Sequence, residues 1–302
     1  MKKRGQHYVW KSYLDPWAES GQVYFLRDGR VYHTNTKNVA KQRDFYRLRD
    51  LTKNDIDILE ESIQESPQHL HSLHHVLVSK CATIARLHAV ADAVLPGDDE
   101  ACQALEEAVI NTEEDLHSQI EANAVPLIKS MRSGNIDFFS DDKAVVDFFY
   151  FIGVQSMRTK RNREAVLKRL AEANPSIDIT RLWNMLSHIL GMNIGWNLYA
   201  ERCNYRLVLL ENPSDTPLIT GDQPIVNTYA REDGTPPENL ELYYPLSPQL
   251  AMLLSDKIDA FQGYQHVMVP TDAEKYNRLI LTSSHEQVFS SSESYLKAIG
   301  RA

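Results

Sequence analysis

Apolar residues follow two rhythms along this chain, a helical one in the middle and a shorter one on both flanks. From Asp55 to about Ala200, Ile56, Leu59 and Ile63 repeat at helical spacing. So do Leu73, Leu77, Ala82, Ala85 and Val90, before Pro96-Gly97 stops the run. Such spacing lines one face of a helix. Further helices are expected over Glu100–Met131, bent or interrupted near Pro126, over Lys143–Met157 and over Ile179–Tyr199. Upstream, QVYFLRDGRVYHT (22–34) reads as a β-hairpin, because Asp28-Gly29 tolerates the positive φ angles of a two-residue turn. The aromatic-rich YVWKSYLDPWA before it is either a short helix or an irregular arm packed on the hairpin. Downstream, LVLL, LITG, PIVNTY, ELYYPL and QLAMLLS are short runs bounded by Pro, Gly, Asn and Asp, as strands are, and Asp272–Ser283 is a last helix before VFSSS.

The pattern implies an α+β fold, a mostly helical middle flanked by an N-terminal β-hairpin and C-terminal strands that can share one antiparallel sheet. It is read as a single domain over 1–302: arm and hairpin to residue 50, helices over 51–205, strands and a helix over 206–302. No repeat and no long polar linker divides it.

Composition narrows the function classes. The 302 residues are 43% hydrophobic and 24% charged, as in an ordinary globular protein. A formal charge of −9 argues against sequence-independent duplex binding, which needs a basic face. Cys81, Cys102 and Cys203 form no CxxC pair and fit a reducing cytoplasm. No apolar run approaches the roughly 20 residues that span a bilayer, and MKKRGQHYVW lacks the apolar core of a signal peptide. Neither a Walker-type phosphate loop nor a GxSxG elbow occurs, which argues against common nucleotide hydrolases and esterases.

Several separated segments together resemble the bacterial family known as domain of unknown function 4238. GQHYVWKSYLDPWA is similar to its opening signature, with Trp10 where members commonly carry proline. The hairpin followed by TKNVAKQRDFY, then FFYFIGVQSMRTKRNRE, PLITGDQPIV, YYPLSPQLAMLL and KYNRLILTSSHEQVFSS resemble later family segments in the expected order. No counterpart is recognised for Gln68–Glu114. The resemblance implies candidate residues and no reaction.

Those segments hold the polar residues of interest. His7 is suited to a general base or a metal ligand, or else its ring satisfies buried backbone groups. Gln6 and Tyr8 flank it with further hydrogen-bonding groups. Asp222, at the corner of TGDQP between two strands, is suited to coordinate a cation, to orient His7 or to act as an acid–base group, or else it closes an Asx-type turn. Gly221 beside it gives backbone freedom. Gln155 and Arg158 share a helix face, and Arg158 with Lys160, Arg161 and Arg163 forms either an anion site or a solvated helix end. Asn277 either ties the last helix to the sheet or binds ligand. Glu121 points inward or is solvated. His71 and His75, in a cluster with His69, His74 and His88, have the i, i+4 spacing of a metal pair without the HExxH form. Arg181 and His188 match the loose Arg-x6-His spacing of helical ribonucleases.

The resulting expectation is a cytosolic hydrolase of nucleic-acid phosphodiester, an RNase-like effector of the defence or toxin kind. His7 moves the proton, Arg158 holds the phosphate, Asp222 orients His7 or a metal, and Gln6, Tyr8, Gln155 and Asn277 contact RNA or another phosphate-bearing ligand. No metal ligand is assigned and the cofactor is unknown, a divalent ion being compatible but not indicated. The alternative is a non-catalytic binding or regulatory protein whose polar residues are structural.

Overall fold

The computed structural model describes residues 1–173, 178–231, 235 and 237–300. The chain opens with β1 (Gly5–His7) and a four-residue helix α1 (Lys11–Leu14), followed by a single 3-10 turn at Asp15–Trp17. YVWKSYLDPWA is thus a short helical arm, and Tyr8, Trp10, Tyr13 and Trp17 carry it into the core. The hairpin forms as expected from β2 (Gln22–Arg27) and β3 (Arg30–Asn35), with Asp28 and Gly29 both at positive φ. Then β4 (Lys41–Arg43) pairs with β1.

The middle is helical: α2 (Lys53–Gln64), α3 (His71–Val94), α4 (Asp99–Arg132), α5 (Asp142–Met157), α6 (Lys160–Ala173) and α7 (Trp183–Ala200). Thr52 and Asp55 make a reciprocal capping box for α2, and Asp98 and Asp141 cap α4 and α5, satisfying first-turn N–H groups. Leu59 and Ile63 are buried as the pattern requires, whereas Ile56 and Leu73 face outward. Pro126 lies inside α4, which continues through it to Arg132. The basic run after Arg158 does not end a helix. It opens α6, beginning two residues after Arg158 caps α5.

Helices α5 and α7 meet along a seam of small residues. A Cβ on Gly153 would lie 2.1 Å from the Gly191 carbonyl oxygen, and one on Gly195 would lie 2.7 Å from that of Phe149. Only hydrogen fits at such an approach.

The C-terminal part contains β5 (Arg206–Glu211), β6 (Thr220–Gly221), β7 (Val226–Asn227), β8 (Glu241–Ser247), β9 (Leu250–Ser255), β10 (Gln265–Val267), α8 (Pro270–Ser283), β11 (Val288–Ser290) and α9 (Glu293–Ile299). The hairpin does join C-terminal strands, in an antiparallel sheet of order β3-β2-β11-β6. The remaining strands form a second sheet, β10-β5-β9-β8-β7, with β10 parallel to β5. The hairpin and C-terminal strands thus share one antiparallel sheet as expected, while five other C-terminal strands pair apart from it. TGDQP is where the chain leaves one sheet and enters the other, β6 lying in the first and β7 in the second. The arm locks that crossing: Tyr13 Oη lies 2.7 Å from both Thr220 Oγ1 and the Pro245 carbonyl, and Trp17 Nε1 donates to Leu218 O at 2.8 Å.

Candidate functional site

The fold holds a polar knot where its terminal segments meet, a buried Glu–His group, and a cavity among the helices.

The knot collects most of the residues that the sequence singles out. Arg158 is 3% exposed, and its guanidinium is fully engaged. Nε donates to Tyr46 Oη at 2.9 Å, Nη1 to Glu121 Oε1 at 2.6 Å, and Nη2 to the His7 carbonyl. Glu121 therefore points inward. Gln155 donates to the Tyr8 carbonyl at 3.2 Å. Gln6 bridges the Ile110 carbonyl (2.7 Å) and the Tyr46 N–H (2.6 Å). The basic run is tied as well: Lys160 to Glu286 at 2.9 Å, Arg161 to the Thr282 carbonyl at 2.7 Å, and Arg163 over the Phe45 ring.

Asp222 is buried at the sheet crossing. Its Oδ1 accepts from the His285 N–H at 2.7 Å, and its Oδ2 from those of Glu286 (2.7 Å) and Gln287 (3.0 Å). Burial raises its carboxyl above the ordinary carboxylate range, and the three donors pull in the opposite direction. Gly221 is not needed for backbone freedom, since its φ is not among the positive ones. A Cβ there would lie 1.9 Å from Ser284 Oγ, so space is the constraint. Asn277 accepts from the Ile219 N–H and donates to the Pro217 carbonyl and Tyr295 Oη, each at 2.9 Å, so it tethers α8 to the segment before β6.

The elements bearing His7, Arg158 and Asp222 thus come to one knot, but the groups do not converge as acid, base and anion holder. Arg158 reaches the main chain of His7, not its imidazole, and Asp222 is taken up by three peptide N–H groups. The half-buried His7 ring is lowered to about 4 by burial first, then by Lys41 and Arg158. It is a neutral imidazole whose Nε2 is buried without a hydrogen bond. The phenol of Tyr8 is also buried, without a partner for its hydroxyl.

The histidine cluster disperses. The His69 ring lies tilted against Trp196, His71 lies 2.8 Å from the Ser66 carbonyl, His74 3.1 Å from Asn193 Oδ1, His75 3.5 Å from Glu60, and His88 2.8 Å from Glu106. Arg181 sits in a single 3-10 turn before α7 and pairs with Asp178, while His188 is buried on α7, so the two are not presented together on one helix.

The residue that does meet His188 is Glu113 of α4, Nε2 to Oε2 at 3.0 Å. His117, one turn further along α4, stacks on His188 with ring centroids 4.7 Å apart. Glu113, His117 and His188 offer donor atoms within 4.8 Å of one another. The i, i+4 pair Glu113–His117 on an expected helix was the available sequence signal. The histidines just upstream are more numerous and have the same i, i+4 spacing, which masks that signal.

Next to this group lies a cavity of about 590 Å³ among α3, α4, α5 and α7, with apolar walls including Leu77, Leu116, Met192 and Trp196. Cys81 and Tyr150 line it, and Cys81 Sγ is 3.5 Å from Glu113 Oε1. Lys80 and Asp115 also line it, both exposed, with Asp115 paired to Lys3 at 2.5 Å.

Among the described residues no helix is long and apolar enough to cross a membrane. No curated protein and no solved structure matches the chain. One family model does, over residues 5–93 and 105–294, so the stretch thought to lack a counterpart is matched except for 94–104, where α3 gives way to α4. The chain therefore belongs to the family described as protein of unknown function, DUF4238.

Proposed function

We propose that this chain is a binding protein whose helical cavity receives the hydrocarbon chain of an amphipathic carboxylic acid, its terminal polar residues serving as scaffold. The observation that carries this reading is the cavity itself. Its volume of about 590 Å³ falls within the range of small-molecule sites, roughly 300–1,000 Å³. Its rim leaves Leu73, Val76 and Val146 exposed at 57, 68 and 44%, apolar surface that an occupant would cover. Exposed Lys80 in the lining supplies the charge partner for a carboxylate. The scaffold role follows from hydrogen bonds already made to main chain by Gln6, Gln155, Arg158, Asp222 and Asn277. A reducing cytoplasm as the setting is consistent with three cysteines not joined by disulfides.

Calorimetric titration with palmitate tests this. One equivalent binds, Leu116→Trp abolishes binding by filling the cavity, and Lys80→Glu weakens palmitate more than the matching alcohol. Each buried methylene contributes about 0.8 kcal/mol, so myristate binds roughly tenfold more weakly. Equal affinity for wild type and Leu116→Trp contradicts the reading.

A second reading, hydrolysis of RNA phosphodiester at His7, is favoured by one observation: a neutral imidazole on which the charges of Lys11, Lys41 and Arg158 act. It predicts RNA cleavage that His7→Gln removes and Leu116→Trp leaves intact. An absence of turnover by the purified chain ends it.

A further inference from the structure

Glu113, His117 and His188 are buried more deeply than any solvated polar group, at 0, 2 and 0% exposure. Both ring nitrogens of His117 and of His188, and Oε2 of Glu113, have no hydrogen-bond partner. The 3.0 Å approach of His188 Nε2 to Glu113 Oε2 is therefore close but not aligned as a hydrogen bond. A buried polar group left unpaired costs about 1–3 kcal/mol, and buried groups in folded proteins are nearly always paired. Five such atoms in one place need a common explanation. Two imidazoles and a carboxylate are the donor set of catalytic zinc and non-haem iron centres.

We propose that Glu113, His117 and His188 bind a first-row divalent transition ion, zinc or ferrous iron, at a centre beside the cavity. Helix geometry supplies two of the ligands, since residues four apart on α4 share a face, and α7 supplies the third. The donors lie within 4.8 Å of one another, against ~3.4 Å between ligands of a tetrahedral ion with bonds of about 2.1 Å, so small side-chain rotations close the set. Arg158, whose charge acts on His117, is paired with Glu121 at 2.6 Å, and that carboxylate offsets part of its repulsion of an ion. Cys81 and Tyr150 line the cavity, and Cys81 Sγ lies 3.5 Å from Glu113 Oε1, so the proposed centre adjoins the cavity wall.

The test is metal content of the full chain, purified without a histidine tag and measured by inductively coupled plasma mass spectrometry. Wild type retains about one equivalent, and His117→Gln and Glu113→Gln each lose at least tenfold. His75→Gln, which alters an exposed histidine on α3, leaves the content unchanged. Because the buried variants can fail to fold, wild type stripped with chelator is measured as well. Adding zinc or ferrous ion raises its Tm by about 5 °C or more, as binding to the folded state alone requires. Cobalt added to the same protein gives a visible d–d absorption band. Stripped wild type that shows neither a Tm rise nor a cobalt band overturns the proposal. So does metal that survives His117→Gln and disappears in His75→Gln. None of these readouts involves palmitate, so this proposal and the cavity reading fail independently.

Discussion

Arg158 and Glu121 form a largely enclosed ion pair, 2.6 Å from Nη1 to Oε1, that fastens the end of α5 to α4. The same guanidinium holds Tyr46 and the main chain of β1, so three distant segments depend on one side chain. Removing one partner of a buried pair leaves the other charge uncompensated. Arg158→Ala should destabilise by about 3–5 kcal/mol in urea unfolding. Arg158→Lys should recover little, because an ammonium cannot span the three acceptors that the planar fork reaches. A loss below 1 kcal/mol for Arg158→Ala would show that the knot is not a structural hub.

Asp222 closes the connection between α8 and β11. Asp222→Ala orphans three peptide N–H groups at 285–287 and should lower stability by about 3 kcal/mol or more. Asp222→Asn keeps one acceptor and should lose less. Thermal unfolding of the two variants checks the order, and palmitate affinity below the unfolding transition should be unchanged in both.

The seam between α5 and α7 leaves no room for a methyl group. Gly153→Ala should destabilise by about 1–3 kcal/mol or more through forced separation of the two helices. Because α5 and α7 both line the cavity, the same variant should also weaken palmitate binding. Unfolding and titration on one preparation measure both effects.

His7 gives the fold an acid dependence. Its folded value is near 4, whereas the unfolded side chain titrates near 6.5, so the folded protein binds fewer protons between those values. Stability should therefore fall as pH drops from about 6.5 to 4, by about 1–3 kcal/mol once partial exposure is allowed for. His7→Gln should flatten that part of the profile in urea titrations at stepped pH.

Much of the architecture was legible because local rules decide it. Asp28-Gly29 fixed the hairpin, Pro96-Gly97 ended α3, and the spacing of Leu59 and Ile63 marked the buried face of α2. The division into two sheets was not legible, because it rests on long-range pairing of β11 with β2 and β6 that no local pattern encodes. Most of the polar residues that the sequence singles out are bound up in hydrogen bonds to main chain, and sequence cannot separate a side chain that serves substrate from one that serves main chain. Asp222 and Asn277 show why: turn-closing and ligand-binding use the same donors and acceptors. The cavity was hidden for a related reason. Leu73 repeats at helical spacing as a core position does, and only the packing of four helices shows that it borders open space.

The most direct measurement is a crystal structure of the chain grown with palmitate. The account predicts an acyl chain between Leu116 and Met192, with its carboxylate at Lys80. Palmitate found elsewhere on the surface, or a cavity holding only water at saturating palmitate, would contradict it.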